Sequence, residues 1–271
     1  MIQVVTAFSG AYFHTQGGRN FLHGFSTLWP QEVTCWAYTE DPFPKETFER
    51  VEYRHLFEDA PAAEVFHRRY ANDPEKNGSD PQYGHNHNAV TFSKKVYALA
   101  AAAHRMQKER LLERDKGRLY WLDADTSTHA RPALDWLHSL VPDGVFCAYL
   151  GRETIYTEGG FYGFNLNHRL AADFFPEWQR WFDLGQVFTL EHQHDCGTFD
   201  AIRKSLNSPD AFANLSPVTD KPCGHPFPNS PLGRCFDHMK GRTRKQLGHS
   251  LSKDLKVERV EPYWQGIVGS R

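Results

Sequence analysis

The tripeptide Asp123-Ala124-Asp125 has the clearest chemical consequence in this sequence. It follows "RLYWL", an apolar run of strand length. Side chains alternate along an extended chain, so residues i and i+2 face the same way. Two like charges that close raise each other's pKa unless a cation stands between them. Two readings follow. The tip is a solvated turn, where Asp is common, or the carboxylates share a divalent ion. Asp-x-Asp occurs nowhere else in the chain.

Other clusters could act with this pair. "EHQHDCGTFD", residues 191 to 200, gathers Glu191, His192, His194, Asp195 and Asp200 around an expected helix start. Asp195 suits either a general base or a helix cap. "GRCFDHMKGRTRKQLGHS", residues 233 to 250, carries Arg234, His238, Lys240, Arg242, Arg244 and Lys245. Such a segment suits phosphate contact or is a solvated basic tail. His238 can complete a metal site begun by carboxylates. Cys223, His225, Cys235 and His238 also offer a zinc reading, although the first pair is closer than a zinc knuckle requires. Lys94 and Lys95 open an alanine-rich helix, as an anion site or as surface lysines. "TEGGFYGFNLNH", residues 157 to 168, has a glycine pair that admits a substrate to the backbone or forms a bulge.

The elements that must position these groups alternate in type. "IQVVTAF" and "EVTCWAYTED" read as buried strands around a short helix, a β-α-β opening that favours a parallel sheet. Residues 58 to 90 read as irregular, with a long polar loop. "TFSKKVYALAAAAHRMQKERLLER" is the clearest helix. "GRLYWLDAD", "GVFCAYLG" and "EGGFYGFNLN" read as strands. "RPALDWLHSLV", "HRLAADFFPEWQRWFDLG" and "CGTFDAIRKSL" read as helices, the second tolerating Pro176 only with a kink or break. The fold class is α/β, and ligands of such open sheets bind at the carboxyl ends of the strands, where Asp123 and Asp125 lie. From about residue 206 the chain turns Pro-, Asn- and Ser-rich and then basic. It reads as one domain, 1–271, with a basic C-terminal arm.

Composition limits the partners. Thirty-one Lys and Arg against 33 Asp and Glu give a net charge of −2, so any anion site must be local. The 20 Phe, 11 Tyr and 7 Trp suit cores and also sugar or base sites. Five cysteines without regular spacing point to free thiols in a reducing compartment. The start of the chain reads as a strand and not a signal peptide. No apolar run approaches the ~20 residues that span a bilayer. A cytoplasmic location without membrane contact is expected, the host cytoplasm if the gene is a phage's.

The order of these parts resembles nucleotide-sugar-dependent glycosyltransferases of the GT-A fold, from the first strand to about residue 250. "WLDADT" closely resembles the "FLDADT" of glycogenin-like enzymes, and "FSKK" their preceding Phe-Thr-Lys segment. "GGFYGFNLNH" is similar to their Gly-Asn segment, and "FDHMKG" to their late histidine element. That element here is His-x-Lys-Gly and not His-x-Gly-x-x-Lys, and the gap from "FSKK" to "DAD" is long, which marks a separate branch. The resemblance implies a mostly parallel central sheet flanked by helices. It implies that Asp123, Asp125 and His238 hold Mn2+ or Mg2+. Thr6 and Phe8 would line a nucleoside pocket. Lys94 or Lys95, with Asp123 and Lys240, would meet the sugar-diphosphate, and Asp195 would be the base of an inverting enzyme. The donor would be a UDP-sugar, hexosyl or pentosyl.

The small form also resembles phage and base-J-associated enzymes that modify hydroxymethylated pyrimidines in DNA. It implies a DNA acceptor, which the basic arm and Arg68, Arg69, His85 and His87 could meet. A glycan or protein acceptor is the alternative. A sugar nucleotidyltransferase, using Gly17-Gly18-Arg19, and a non-catalytic binding module remain open.

Overall fold

The computed structural model describes residues 1–14, 17–82, 84–113, 117–152, 155–216 and 225–269. Strand β1 (Ile2–Ala7) is followed by helices α1 (Gly10–His14) and α2 (Gly17–Leu28), then β2 (Val33–Thr39) and β3 (Val51–His55). Helices α3 (Leu56–Asp59), α4 (Pro61–Tyr70) and α5 (Pro74–Asn77) lead to the long α6 (Ala89–Glu113) and to β4 (Arg118–Leu122). Next come β5 (Thr126–Thr128), α7 (Leu134–Leu140), β6 (Cys147–Leu150) and β7 (Glu158–Asn165). The chain continues through α8 (Ala171–Asp183), α9 (Asp195–Ser205), β8 (Phe212–Asn214), β9 (Phe236–His238), α10 (Gly241–Leu247) and α11 (Pro262–Gly269).

Seven strands form one sheet in the order β3-β2-β1-β4-β7-β6-β8. Within it β7 alone runs against the other six. This is the expected α/β architecture with a mostly parallel sheet. Strand alternation divides the core into two layers. Val5, Trp36, Leu119 and Trp121 face one layer with α4, α6, α8 and α9. Val4, Cys35, Tyr120 and Leu122 face the other, with α2, α7 and the segment around Phe227 to Phe236. Both faces of the central strands are therefore apolar, as a helix-covered parallel sheet requires.

Some elements differ from the sequence reading. The stretch 58 to 90 is not irregular throughout, because α4 crosses it. Pro61 opens that helix, and Ala63 and Phe66 bury one apolar face against the core. Scattered charges hid a short stripe that tertiary packing stabilises. Strand β3 escaped notice because it is only partly buried at the sheet edge. One helix, α8, spans Pro176, with Phe174, Phe175, Trp178 and Phe182 buried along it. That burial offsets a proline cost of about 3 kcal/mol.

Strands β5 and β9 form a separate two-stranded antiparallel ribbon. The segment after residue 225 packs closely. Trp264 is wholly buried, and its indole N–H donates to the Gly233 carbonyl at 2.5 Å. Among the described residues no helix is long and apolar enough to cross a membrane.

Candidate active site

The β5–β9 ribbon assembles the site. β4 ends at Leu122, and Asp123 and Asp125 follow directly. Thr126 pairs with His238 in the ribbon, and the Met239 amide donates to the Asp125 carbonyl at 2.9 Å. His238 Nε2 then lies 2.9 Å from Asp125 Oδ1 and 3.7 Å from Asp123 Oδ2. One ligand atom from each of Asp123, Asp125 and His238 lies within 4.8 Å of the others. Oxygen and nitrogen ligands on one small divalent ion stand about 3 Å apart when adjacent. Two carboxylates and an imidazole suit Mn2+ and related ions. The residues fit such an ion.

Lysines frame the acids. Lys245 Nζ lies 2.9 Å from Asp125 Oδ2. Lys95 on α6 stands 3.0 Å from both Asp123 and Asp195 and donates to the Gly159 carbonyl at 2.6 Å. Burial alone would lower the Lys95 pKa, but the carboxylates of Asp123 and Asp195 outweigh it and raise it. Burial would raise Asp125, yet His238 and Lys245 hold it well below the usual carboxylate range. Asp195 is shifted upward because burial, helped by the Asp123 charge, outweighs Lys95. Burial opposes protonation of His238, and Asp125, Glu158 and Asp123 together reverse that and raise its pKa. The groups are poised in opposite directions, as at sites that move protons and bind cations.

Asp195 is the first residue of α9, but His194 takes the N-cap position. The Asp195 carboxylate turns to Lys95 and to the Tyr162 hydroxyl, which donates at 3.4 Å. It makes no side-chain cap.

Sequence reading missed Glu158. Its carboxylate is buried, 2.5 Å from Lys240 Nζ, 3.5 Å from Arg152 and 3.8 Å from His238 Nδ1. It thus stands behind the imidazole whose other nitrogen faces the aspartates. Burial would raise Glu158, and Lys240, His238 and Arg152 depress it strongly. The available signal was an acid immediately before a glycine pair at a strand start. Trp121, whose indole N–H donates to Asp123 Oδ1 at 2.7 Å, was also passed over.

The glycine pair makes room for side chains of the protein itself. A Cβ at Gly159 would lie 2.6 Å from Asp195 Oδ2 and 2.9 Å from Lys95 Nζ. A Cβ at Gly160 would lie 2.7 Å from the His238 ring and 2.8 Å from Phe227.

Two connected pockets flank the cluster. One, of about 360 Å3, is lined by Phe8, Tyr12, Phe92, Lys94, Lys95 and Trp121 beside Asp123. The other, about 530 Å3, holds Asp123, Asp125, Glu158, Asp195, His238, Lys240 and Lys245. Thr6 is not in the lining of the first pocket: it is fully buried, and its hydroxyl has no hydrogen-bond partner among the described residues. Lys94 reaches the first pocket while paired with Glu40.

The remaining candidates have other partners. Arg19 pairs with Glu46 at 2.7 Å, while Gly17 and Gly18 pack closely on the Tyr12 and Phe8 rings that line the first pocket. Cys223 lies outside the described residues. His225 Nε2 is 2.8 Å from the His238 carbonyl oxygen, and His238 itself faces the aspartates. Arg68 pairs with Glu64, Arg69 lies over Tyr70, and His87 meets Gln193 at 3.3 Å. The His85 side chain lies outside the described ones.

No family model matches the chain, and no curated protein matches it. Among solved structures it is similar to mouse xyloside xylosyltransferase 1 in its apo form. The two share 12% identity over 80% of this chain and 86% of that chain, with a TM-score of 0.47. What the site can do rests on its own geometry.

Proposed function

We propose that this chain is a metal-dependent glycosyltransferase of the GT-A type. It moves a hexose or pentose from a UDP-sugar to an acceptor hydroxyl, favoured here as that of a 5-hydroxymethylpyrimidine in DNA. The observation that carries the reading is the Asp123–Asp125–His238 cluster between two pockets at the carboxyl end of β4. A divalent ion bound there supplies positive charge to a departing diphosphate.

The chain's own residues account for the rest. Phe8, Tyr12 and Trp121 offer apolar and aromatic surface for a nucleoside in the smaller pocket. Lys94, Lys95, Lys240 and Lys245 surround the place of the diphosphate and oppose its growing charge. Asp195, with its upward-shifted pKa, accepts the acceptor's hydroxyl proton. The acceptor oxygen bonds to the anomeric carbon. The bond from that carbon to the diphosphate breaks, and UDP leaves with the electron pair.

The test is mass spectrometry of nucleosides from 5-hydroxymethylcytosine DNA incubated with the protein, Mn2+ and mixed UDP-sugars. A sugar-sized mass gain abolished by chelator is expected. UDP release without that gain would replace the acceptor, and neither signal would overturn the activity.

A further inference from the structure

Lys95 and Lys245 both touch candidate metal ligands, and they are mounted differently. Lys95 is buried on the long α6 and is fixed by Asp123, Asp195 and the Gly159 carbonyl. Lys245 rises from α10, and its side chain is 43% exposed. Asp125 divides its oxygens between two partners. Oδ1 lies 2.9 Å from His238 Nε2, and Oδ2 lies 2.9 Å from Lys245 Nζ. The same ammonium stands 4.9 Å from the centre of the Tyr12 ring, which lines the smaller pocket. Lys245 lines the larger one, so it reaches both.

Charge, and not packing, holds α10. The helix buries no residue. Gly241 opens it at φ +77° and Gly248 follows it at φ +74°, a region that glycine enters without strain. Arg244 donates to Asp254 at 2.8 Å, and Lys245 pairs with Asp125. An element with so few buried apolar contacts is among the first to shift.

Burial would lower the Lys245 pKa, but Asp125 outweighs it and raises it, so the group keeps its charge. A positive charge on a ligand carboxylate opposes a second positive charge there. A nucleoside diphosphate is an anion and competes with Asp125 for the ammonium. A cation and an anion that each relieve the same contact strengthen one another's binding by the same factor.

We infer that Lys245 couples the two ligands of this site. Its ammonium weakens a divalent ion at Asp125 until a nucleoside diphosphate draws it off, and α10 lets it go. This rests on the metal and nucleotide reading above.

The experiment measures Mn2+ binding to the full chain by titration calorimetry at pH 7.5, alone and with saturating UDP. UDP should tighten Mn2+ binding to the wild type by about tenfold or more, within the usual range for coupled sites. Lys245→Met should bind Mn2+ alone about tenfold tighter than the wild type and lose that advantage once UDP is present. Lys245→Arg keeps the charge and should follow the wild type. Arg242→Met removes an exposed charge from the same helix, at a position that lines neither pocket, and should leave both affinities unchanged. Lys245 is itself exposed, so its variants should fold, which circular dichroism checks.

A folded Lys245→Met chain that binds Mn2+ no tighter than the wild type would overturn this inference alone. So would an advantage that persists with UDP. A wild-type chain that binds no Mn2+, with or without UDP, would overturn the metal reading and this inference with it.

Discussion

His238 Nε2 and Asp125 Oδ1 lie 2.9 Å apart although 113 residues separate them in the chain. The ribbon of β5 and β9 makes that contact, by pairing Thr126 with His238. Neither residue needs the other for local structure. Their meeting, with Asp123 beside them, gives the cluster its ligand character.

Asp125→Ala removes one of the three candidate metal ligands and the partner of both His238 and Lys245. Mn2+ affinity and sugar transfer should each fall by more than about 100-fold, since even outer groups around a metal are worth 10- to 100-fold. Circular dichroism should show a folded chain. Full activity in the folded variant would remove the metal from the mechanism.

Glu158→Gln keeps the shape behind His238 and removes the charge 3.8 Å from Nδ1. Groups that orient a metal-bound imidazole are worth about 10- to 100-fold in metal affinity. Titration calorimetry with Mn2+ should show a loss of that size. An unchanged affinity would make Glu158 only a partner for Lys240 and Arg152.

Gly160→Ala tests the space left for the imidazole. Its Cβ would come within 2.7 Å of the His238 ring, so the ring must shift. Mn2+ binding should weaken by about tenfold or more. Gly144→Ala, where an added Cβ meets nothing within 4 Å, is the control and should bind as the wild type does.

Lys95→Met leaves Asp123 and Asp195 without their buried ammonium. Breaking a buried pair in this way costs about 3–5 kcal/mol. Asp195 already titrates above its ordinary value in the folded state. The penalty is therefore largest where Asp195 is ionised and shrinks as pH falls through its raised pKa. Urea unfolding without metal at pH 7.5 and pH 5 should show a smaller loss at the lower pH. Equal losses would mean that packing, not charge, sets the cost.

Metal binding should depend on pH through His238. The imidazole must be neutral to bind, and its pKa without metal is raised above the ordinary value by Asp125, Glu158 and Asp123. Affinity should rise with pH by about tenfold per unit until His238 has lost its proton, then level off. Electron paramagnetic resonance of free Mn2+ from pH 6 to pH 9 would show it. A flat profile over that range would exclude His238 as a ligand.

Much of the fold could be read in the residues. The buried runs of β1, β2, β4 and β7 and the alanine-rich α6 are locally distinctive, because both faces of a central strand and the covered side of a helix must be apolar. Helix α4 and strand β3 could not be read so easily. Each buries little, and its conformation is settled by the layer it packs on.

The sequence by itself supplied two carboxylates, one residue apart, just past a buried strand; strand alternation does not extend to them, because β4 ends at Leu122 and the Thr126 amide closes a turn onto the Asp123 carbonyl. It also supplied the histidine, the lysines and Asp195 as candidates. Only the tertiary structure decided which of them meet. The ribbon brings in His238, α6 brings Lys95 to Asp123 and Asp195, and the β7 start sets Glu158 behind the imidazole. The physical reason is that the interactions of buried charges depend on distance and burial. Both depend on how strands pair and helices cross, and local spacing carries no record of either.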